Sequence, residues 1–273
     1  MDEIWTLARG VRLRTLQAGR GAKLALFWPG TGLPAEEFLD LAGRLQATGF
    51  RTILVEPPGH GESAPWSGVW HFTDARDILE ELIRPHGHPP ILLVGHSLGG
   101  TTMLAAHPGL ANVRGLVLVD GGLPLPAPYK TYAAAARDLE DWIRDNTYPD
   151  WEAWVRSARA DLHHWDALVE AGVRGAMRQT KSGIVPAIDP PSVSAMLYCL
   201  SGYDPSQLAE SAVPTLLLRG TEVPEPRALD ALRARLRGLV VESIRGAGHE
   251  LVWDAPDAVA DRVLAFAGAL DWT

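Results

Sequence analysis

Six short runs in this chain are apolar at nearly every position, and each closes on Gly, Pro or a turn cluster: KLALFWPG, RTILVEPPG, ILLVGHS, GLVLVDGG, TLLLRG and VVESIRGAG. A strand with one wet face alternates apolar and polar residues. Runs without that alternation suit strands covered by helices on both faces, as in a mostly parallel sheet. Between the runs lie AEEFLDLAGRLQATGF, DARDILEELIR, LGGTTMLAAH, ALDALRARLRG and DAVADRVLAFAGAL, which repeat apolar residues at helical spacing. Strand and helix alternate, so the class is α/β. Ahead of them, EIWTLARG and VRLRTLQAG alternate polar with apolar and predict an antiparallel pair at one edge, for a sheet of eight strands in all.

The alternation stops between Asp120 and Pro214. After the proline-rich GGLPLPAP, the segments RDLEDWIRDN, WEAWVRSARADLHHWDALVEAG, VRGAMRQT and PSVSAMLYCLSG all read as helices, with no strand among them. The expected organisation is a core at 1–120, an all-helical cap or lid at 121–213 and a returning core at 214–273. Insertions at the carboxyl ends of parallel strands sit where such sheets bind ligands.

Composition removes several function classes. With 25 Lys and Arg against 33 Asp and Glu the formal charge is −8, and no basic cluster tracks a phosphate backbone, so nucleic acid is excluded as a partner. The apolar runs are far shorter than the roughly 20 residues that cross a bilayer, so no membrane span is expected. A lone Cys199 and the start MDEIWTLARG, which lacks the pattern of a signal peptide, predict a cytoplasmic protein. No Cys/His cluster or His spacing points to a metal, and WPGTGLP lacks the Lys of a phosphate loop. No cofactor is expected; the partner is a small molecule, and the oligomeric state is left open.

The sharpest chemical signal is LLVGHSLGG, which matches G-x-S-x-G directly after a buried strand and before a helix. Gly95 and Gly99 permit a sharp strand-to-helix turn that holds Ser97 out at the top of the sheet. Its hydroxyl needs a base, and His249 in GAGHELVWDAP follows the last strand, on the face where Ser97 sits. An oxyanion would rest on the backbone N–H of Leu98 and on one from the loop after the third strand, FWPGTGLP, with Thr31 the candidate donor.

Taken together, WPGTG, EPPGHGES, GHSLGG, LVLVDGG and GAGHELVWDAPDAVADRVLAF resemble α/β-hydrolase-fold serine hydrolases with a helical cap, along nearly the whole chain. Pro29 stands at the family's usual His position and Glu56 at its usual Asp position. The resemblance implies a third catalytic residue, an acid that usually follows the seventh core strand. There RGTEVPEP offers Glu222 and Glu225, with Val223 close to the usual Asp position. Some members of the fold carry the acid at the end of the sixth strand, where this chain has Asp120. Asp120 is the first choice, Glu222 the second, and Glu225 or no acid at all the remainder.

Ten Trp residues bear on the pocket. Trp142, Trp154 and Trp165 in the insertion, with Trp66 and Trp70 after the fourth strand, are candidates to line an apolar acyl or aromatic site, or else simply form the cap's own core. The expected function is a cofactor-free serine hydrolase acting on an ester, thioester or lactone. The alternatives are a type II thioesterase-like enzyme, a carbon–carbon bond hydrolase of the same fold, and a ligand-binding protein on a hydrolase scaffold.

Overall fold

The computed structural model describes residues 1–223 and 228–273. Its eight-stranded sheet runs in the order β1 (Asp2–Ala8), β2 (Val11–Ala18), β4 (Phe50–Val55), β3 (Lys23–Trp28), β5 (Ile91–His96), β6 (Val113–Val119), β9 (Thr215–Gly220) and β10 (Leu239–Ile244). β1 pairs antiparallel with β2, and β2 antiparallel with β4; every other neighbouring pair is parallel.

The helices of the core are α1 (Leu39–Ala47), α2 (Phe72–Ile83), α3 (Leu98–Ala106), α8 (Leu229–Arg235), α9 (Leu251–Asp254) and α10 (Pro256–Ala269). They cover both faces, which is why the strands lack alternation. On β3, Leu24, Leu26 and Trp28 enter a cluster with Ile78, Leu79, Met103 and Leu104 of α2 and α3. Ala25 and Phe27 point the other way, into a cluster with Leu41, Leu45, Val259 and Val263 of α1 and α10. Fully burying each large side chain stabilises the fold by about 1.5–3 kcal/mol.

Chain order reverses about β3. After β3 the chain moves outward to β4, then returns past β3 to β5 on its other side. The carboxyl ends of β3 and β5 therefore flank a topological switch point, the place where open α/β sheets form a crevice.

Between β6 and β9 lie α4 (Tyr132–Asp145), α5 (Trp151–Asp161), α6 (Ala167–Gly175), β7 (Met177–Thr180), β8 (Gly183–Pro186) and α7 (Pro190–Ser201). The expectation of an all-helical insertion is corrected here. VRGAMRQT leaves the helix after Gly175, and Met177–Thr180 pairs antiparallel with Gly183–Pro186. The hairpin forms because Met177 and Ile184 share one small core with Ala176, under Tyr148, Trp151 and Trp154. The long segment beginning WEAWVRSA is also two helices rather than one, since Asp166 caps α6 by accepting the Val169 N–H at 2.8 Å.

Backbone bonds tie the insertion to the loop after β4: Gly61 N–H donates to Ala187 O at 2.6 Å and Asp189 N–H to Gly59 O at 2.7 Å. That loop is shaped by Glu56, the residue at the family's Asp position. Its carboxylate accepts the N–H groups of Glu62 (2.7 Å) and Ser63 (3.0 Å) and the Arg14 guanidinium (2.9 Å). Among the described residues, no helix is long and apolar enough to cross a membrane.

Candidate active site

At the end of β5 the backbone reverses through Ser97, which has φ 51° and ψ −119° although it carries a side chain. Such a conformation costs of order 1–3 kcal/mol and persists only where the surroundings enforce it. Here the Ser97 N–H donates to Val119 O on β6 at 2.9 Å, and α3 starts at the next residue. The turn closes only because Gly95 and Gly99 have no side chains. A Cβ on Gly95 would meet the Gly99 carbonyl, and one on Gly99 would meet the Trp28 carbonyl.

One strand over, Asp120 follows β6 with φ 40°, its N–H held by Leu218 O of β9 at 2.8 Å. Its carboxylate is buried, and His249 Nδ1 stands 2.5 Å from Oδ2. Arg219, the penultimate residue of β9, places Nε 3.9 Å from Oδ1. The other nitrogen of His249, Nε2, lies 3.0 Å from Ser97 Oγ. A hydroxyl, an imidazole and a carboxylate thus form one hydrogen-bonded line, in which the imidazole can accept the hydroxyl proton while the carboxylate fixes its tautomer.

Glu222 is placed elsewhere. Its backbone N–H donates to Ala247 O at 3.2 Å, and its half-exposed carboxylate lies 3.7 Å from His163 Nε2 of the insertion. His163 in turn approaches Asp254 at 3.5 Å. The second-choice acid therefore faces a histidine of the insertion and not His249. Glu225 lies outside the described residues.

Thr31, on the loop after β3, lines one cavity with Ser97, and Leu98 lines another with it from the first position of α3, where N–H groups lack intrahelical partners. Behind them lies a charged pair that sequence reasoning passed over. Glu37, in the turn before α1, accepts the Gly30 N–H at 3.1 Å and stands 2.6 Å from His96 Nδ1. His96 Nε2 contacts the His249 carbonyl at 2.9 Å. Burial pushes the His96 imidazole down, but the Glu37 carboxylate outweighs it and raises the group to about 9. Nothing in AEEF marked Glu37, since the neighbouring Glu36 is the same residue type and stays partly exposed.

Ser97 and His249 sit where two cavities meet. One, of about 840 Å³, is walled by Leu98, Leu123, Leu125, Leu200 and Val223, with Asp120 and Arg219 also in its lining. The other, of about 280 Å³, is lined by Thr31, Tyr129, Asp138, Leu139, Trp142 and Glu250. Of the tryptophans considered for the pocket, Trp142 reaches this second cavity. The other four are corrected to structural positions. Trp70 is buried between Trp28 and Trp66; Trp66 bonds to Val69 O; Trp154 bonds to Val173 O and packs on Tyr148. Trp165 lies under Arg159 and bonds to Glu170. The spacing of Trp154 and Trp165 in sequence serves the insertion's own packing.

One group among the described residues, His96, His249 and Glu250, brings possible metal-binding atoms within 4.8 Å of one another. Both ring nitrogens of His96 are already engaged, by Glu37 and by the His249 carbonyl, so it has no free lone pair for a cation.

Sheet order, elbow and hydrogen-bonded line together define the class as an α/β-type hydrolase. The chain belongs to the Alpha/beta hydrolase family, whose profile matches residues 25–262. In sequence it is similar to 2-succinyl-6-hydroxy-2,4-cyclohexadiene-1-carboxylate synthase of Escherichia coli K12, at 36% identity over 96 residues, or 35% of this chain. That stretch spans 37% of the relative's length, well short of the whole protein. In structure it is similar to E-2-(acetamidomethylene)succinate hydrolase, with a TM-score of 0.78 and 22% identity over 98% of this chain and 99% of that one. It is also similar to the thioesterase domain from the curacin biosynthetic pathway, with a TM-score of 0.77 and 20% identity over 97% and 99% of the two chains. At these identities the structural likenesses speak for the fold alone.

Proposed function

We propose that this hydrolase cleaves a carboxylic ester, thioester or lactone through an acyl-enzyme on Ser97. The observation that carries the reading is the line Ser97 Oγ, His249 Nε2, His249 Nδ1, Asp120 Oδ2, with contacts of 3.0 and 2.5 Å. His249 takes the hydroxyl proton as Ser97 attacks the carbonyl carbon, and Asp120 stabilises the imidazolium that results. The oxyanion is held by the N–H groups of Thr31 and Leu98. His249 then protonates the leaving group, and water activated by the same imidazole releases the acid.

The two cavities supply a division of the substrate. The larger has an apolar wall, which suits an acyl chain or ring; the smaller, with Tyr129, Asp138 and Glu250, suits a polar leaving group. Residues 121–213 act in this reading as the cap, since α4 and α7 contribute Leu139, Trp142 and Leu197 to the smaller cavity. A cytoplasmic setting is part of the proposal, supported by a single cysteine that makes no disulfide.

The test is intact mass after exposure to a fluorophosphonate. One adduct on the wild type, absent from Ser97→Ala, is the expected result and would justify a screen of esters and thioesters of increasing acyl length. A well-folded wild type without an adduct would reject the activated serine and favour ligand binding without turnover.

A further inference from the structure

Glu37 and His96 form a charged pair in the interior, with side chains 1% and 0% exposed. A buried ion pair is weak support for stability, because desolvation of both groups offsets their attraction. What this pair contacts is more informative. Glu37 Oε2 accepts the Gly30 N–H, one residue before the oxyanion donor Thr31, while Oε1 faces His96 Nδ1. His96 immediately precedes Ser97, and its Nε2–H donates to the carbonyl of His249 itself. The two imidazole rings lie 4.9 Å apart between centroids. The Glu37–His96 contact lies off the N–H axis, so charge rather than a linear hydrogen bond holds it.

We propose that Glu37 and His96 are positioning residues that lock the oxyanion loop and the histidine loop to the nucleophile elbow. This inference rests on the reading of Ser97 as nucleophile. Three loops from distant parts of the chain, after β3, β5 and β10, must agree within fractions of an ångström for attack, proton transfer and oxyanion binding to coincide. One carboxylate and one imidazolium reach all three, at Gly30, next to Ser97 and at His249. Loss of the charge frees Gly30 and the His249 backbone to drift, while the apolar wall of the larger cavity, formed by Leu123, Leu125, Leu200 and Val223, includes neither Glu37 nor His96 and stays in place.

The experiment is the concentration dependence of fluorophosphonate labelling, which separates the labelling rate constant from probe affinity. In Glu37→Gln the rate constant is expected to fall about 100-fold, the scale of a reacting group misplaced by about 1 Å, with affinity within about two-fold. Glu37→Asp, which keeps the charge, should recover part of the loss. Because a half-broken buried pair destabilises, Glu37→Met combined with His96→Phe removes both charges and should regain the wild-type melting temperature but not the wild-type rate. A folded double variant labelled at the wild-type rate overturns the proposal, as does an unimpaired Glu37→Gln. A wild type that is not labelled rejects the nucleophile reading and this inference with it, whereas wild-type labelling with unaffected variants rejects this inference alone.

Discussion

The ends of β6 and β9 are neighbours, and each offers a carboxylate within two residues of its last strand position, yet they behave differently. At β6 the chain turns through Asp120 in a left-handed conformation, its N–H bonded to β9 and its side chain 3% exposed. At β9 the chain passes Gly220 and Thr221 before Glu222, whose side chain is 54% exposed and faces His163 of the insertion. Residue type alone does not bring a carboxylate to an imidazole. What counts is a backbone that is itself hydrogen-bonded into the sheet, so that the carboxylate meets the imidazole at small entropic cost.

Removing the carboxylate at β6 gives the largest effect. Asp120→Asn should lower kcat by about 10³–10⁴-fold, since an amide favours the wrong histidine tautomer while leaving the geometry intact. Steady-state kinetics on an ester found in the screen would check it, and a loss under ten-fold would mean that β6 does not supply the acid. The comparison can also be inverted. Val223 lines the same cavity as Asp120 and His249, so Val223→Asp in the Asp120→Asn background should regain about 10–100-fold of the lost kcat, by restoring a charge near the imidazole. No regain would show that the loop after β9 cannot hold a carboxylate firmly enough.

A third difference appears in pH dependence, because His96, beside Ser97, is a buried titrating group. His96 is raised to about 9, so its contribution to stability is fully present below its ordinary value of 6.5 and lost as pH rises through 9. His60 runs the other way: burial pushes it down to about 4, so its contribution is present above 6.5 and lost as pH falls through 4. The wild type should therefore be most stable near pH 6.5 and lose about 2–4 °C of melting temperature for each kcal/mol removed on either limb. Glu37→Met with His96→Phe should flatten the alkaline limb and leave the acid limb, while Glu222→Gln should leave both. Thermal scans from pH 4 to 9.5 make the comparison.

The contrast also explains what could be read from the sequence. Unbroken apolar runs announced the parallel strands because burial on both faces leaves a pattern in consecutive residues, and G-x-S-x-G announced the elbow because steric need for Gly95 and Gly99 is local. The hairpin Met177–Pro186 was hidden, since its strands are four residues each and are stabilised by packing under Tyr148, Trp151 and Trp154. Asp120 and Glu222 stayed as alternatives because which carboxylate meets His249 depends on the Asp120 N–H bond to Leu218 O, a contact across about a hundred residues of chain. Glu37 was hidden for the same reason. Its partners, Gly30, His96 and through it His249, converge only once three loops are folded.

The smallest predicted effect is the one that isolates the loop after β9. Glu222→Gln removes a charge from an exposed position that faces His163 of the insertion at 3.7 Å, and exposed pairs contribute about 0–1 kcal/mol. kcat on any substrate should stay within about two-fold of wild type, because the Asp120–His249–Ser97 line does not include this carboxylate. KM is the more sensitive quantity. His163 also approaches the buried Asp254, which accepts the Gly248 N–H at 2.9 Å next to His249, so a weakened Glu222 contact would loosen the insertion before it disturbed the base. His163→Ala, which removes the contacts to both Glu222 and Asp254, should change KM at least as much, and adding Glu222→Gln to it should change nothing further, since the Glu222 contact is already gone. Additive effects in that double-mutant cycle would mean that Glu222 acts through another partner, and a large fall in kcat would return the acid to β9.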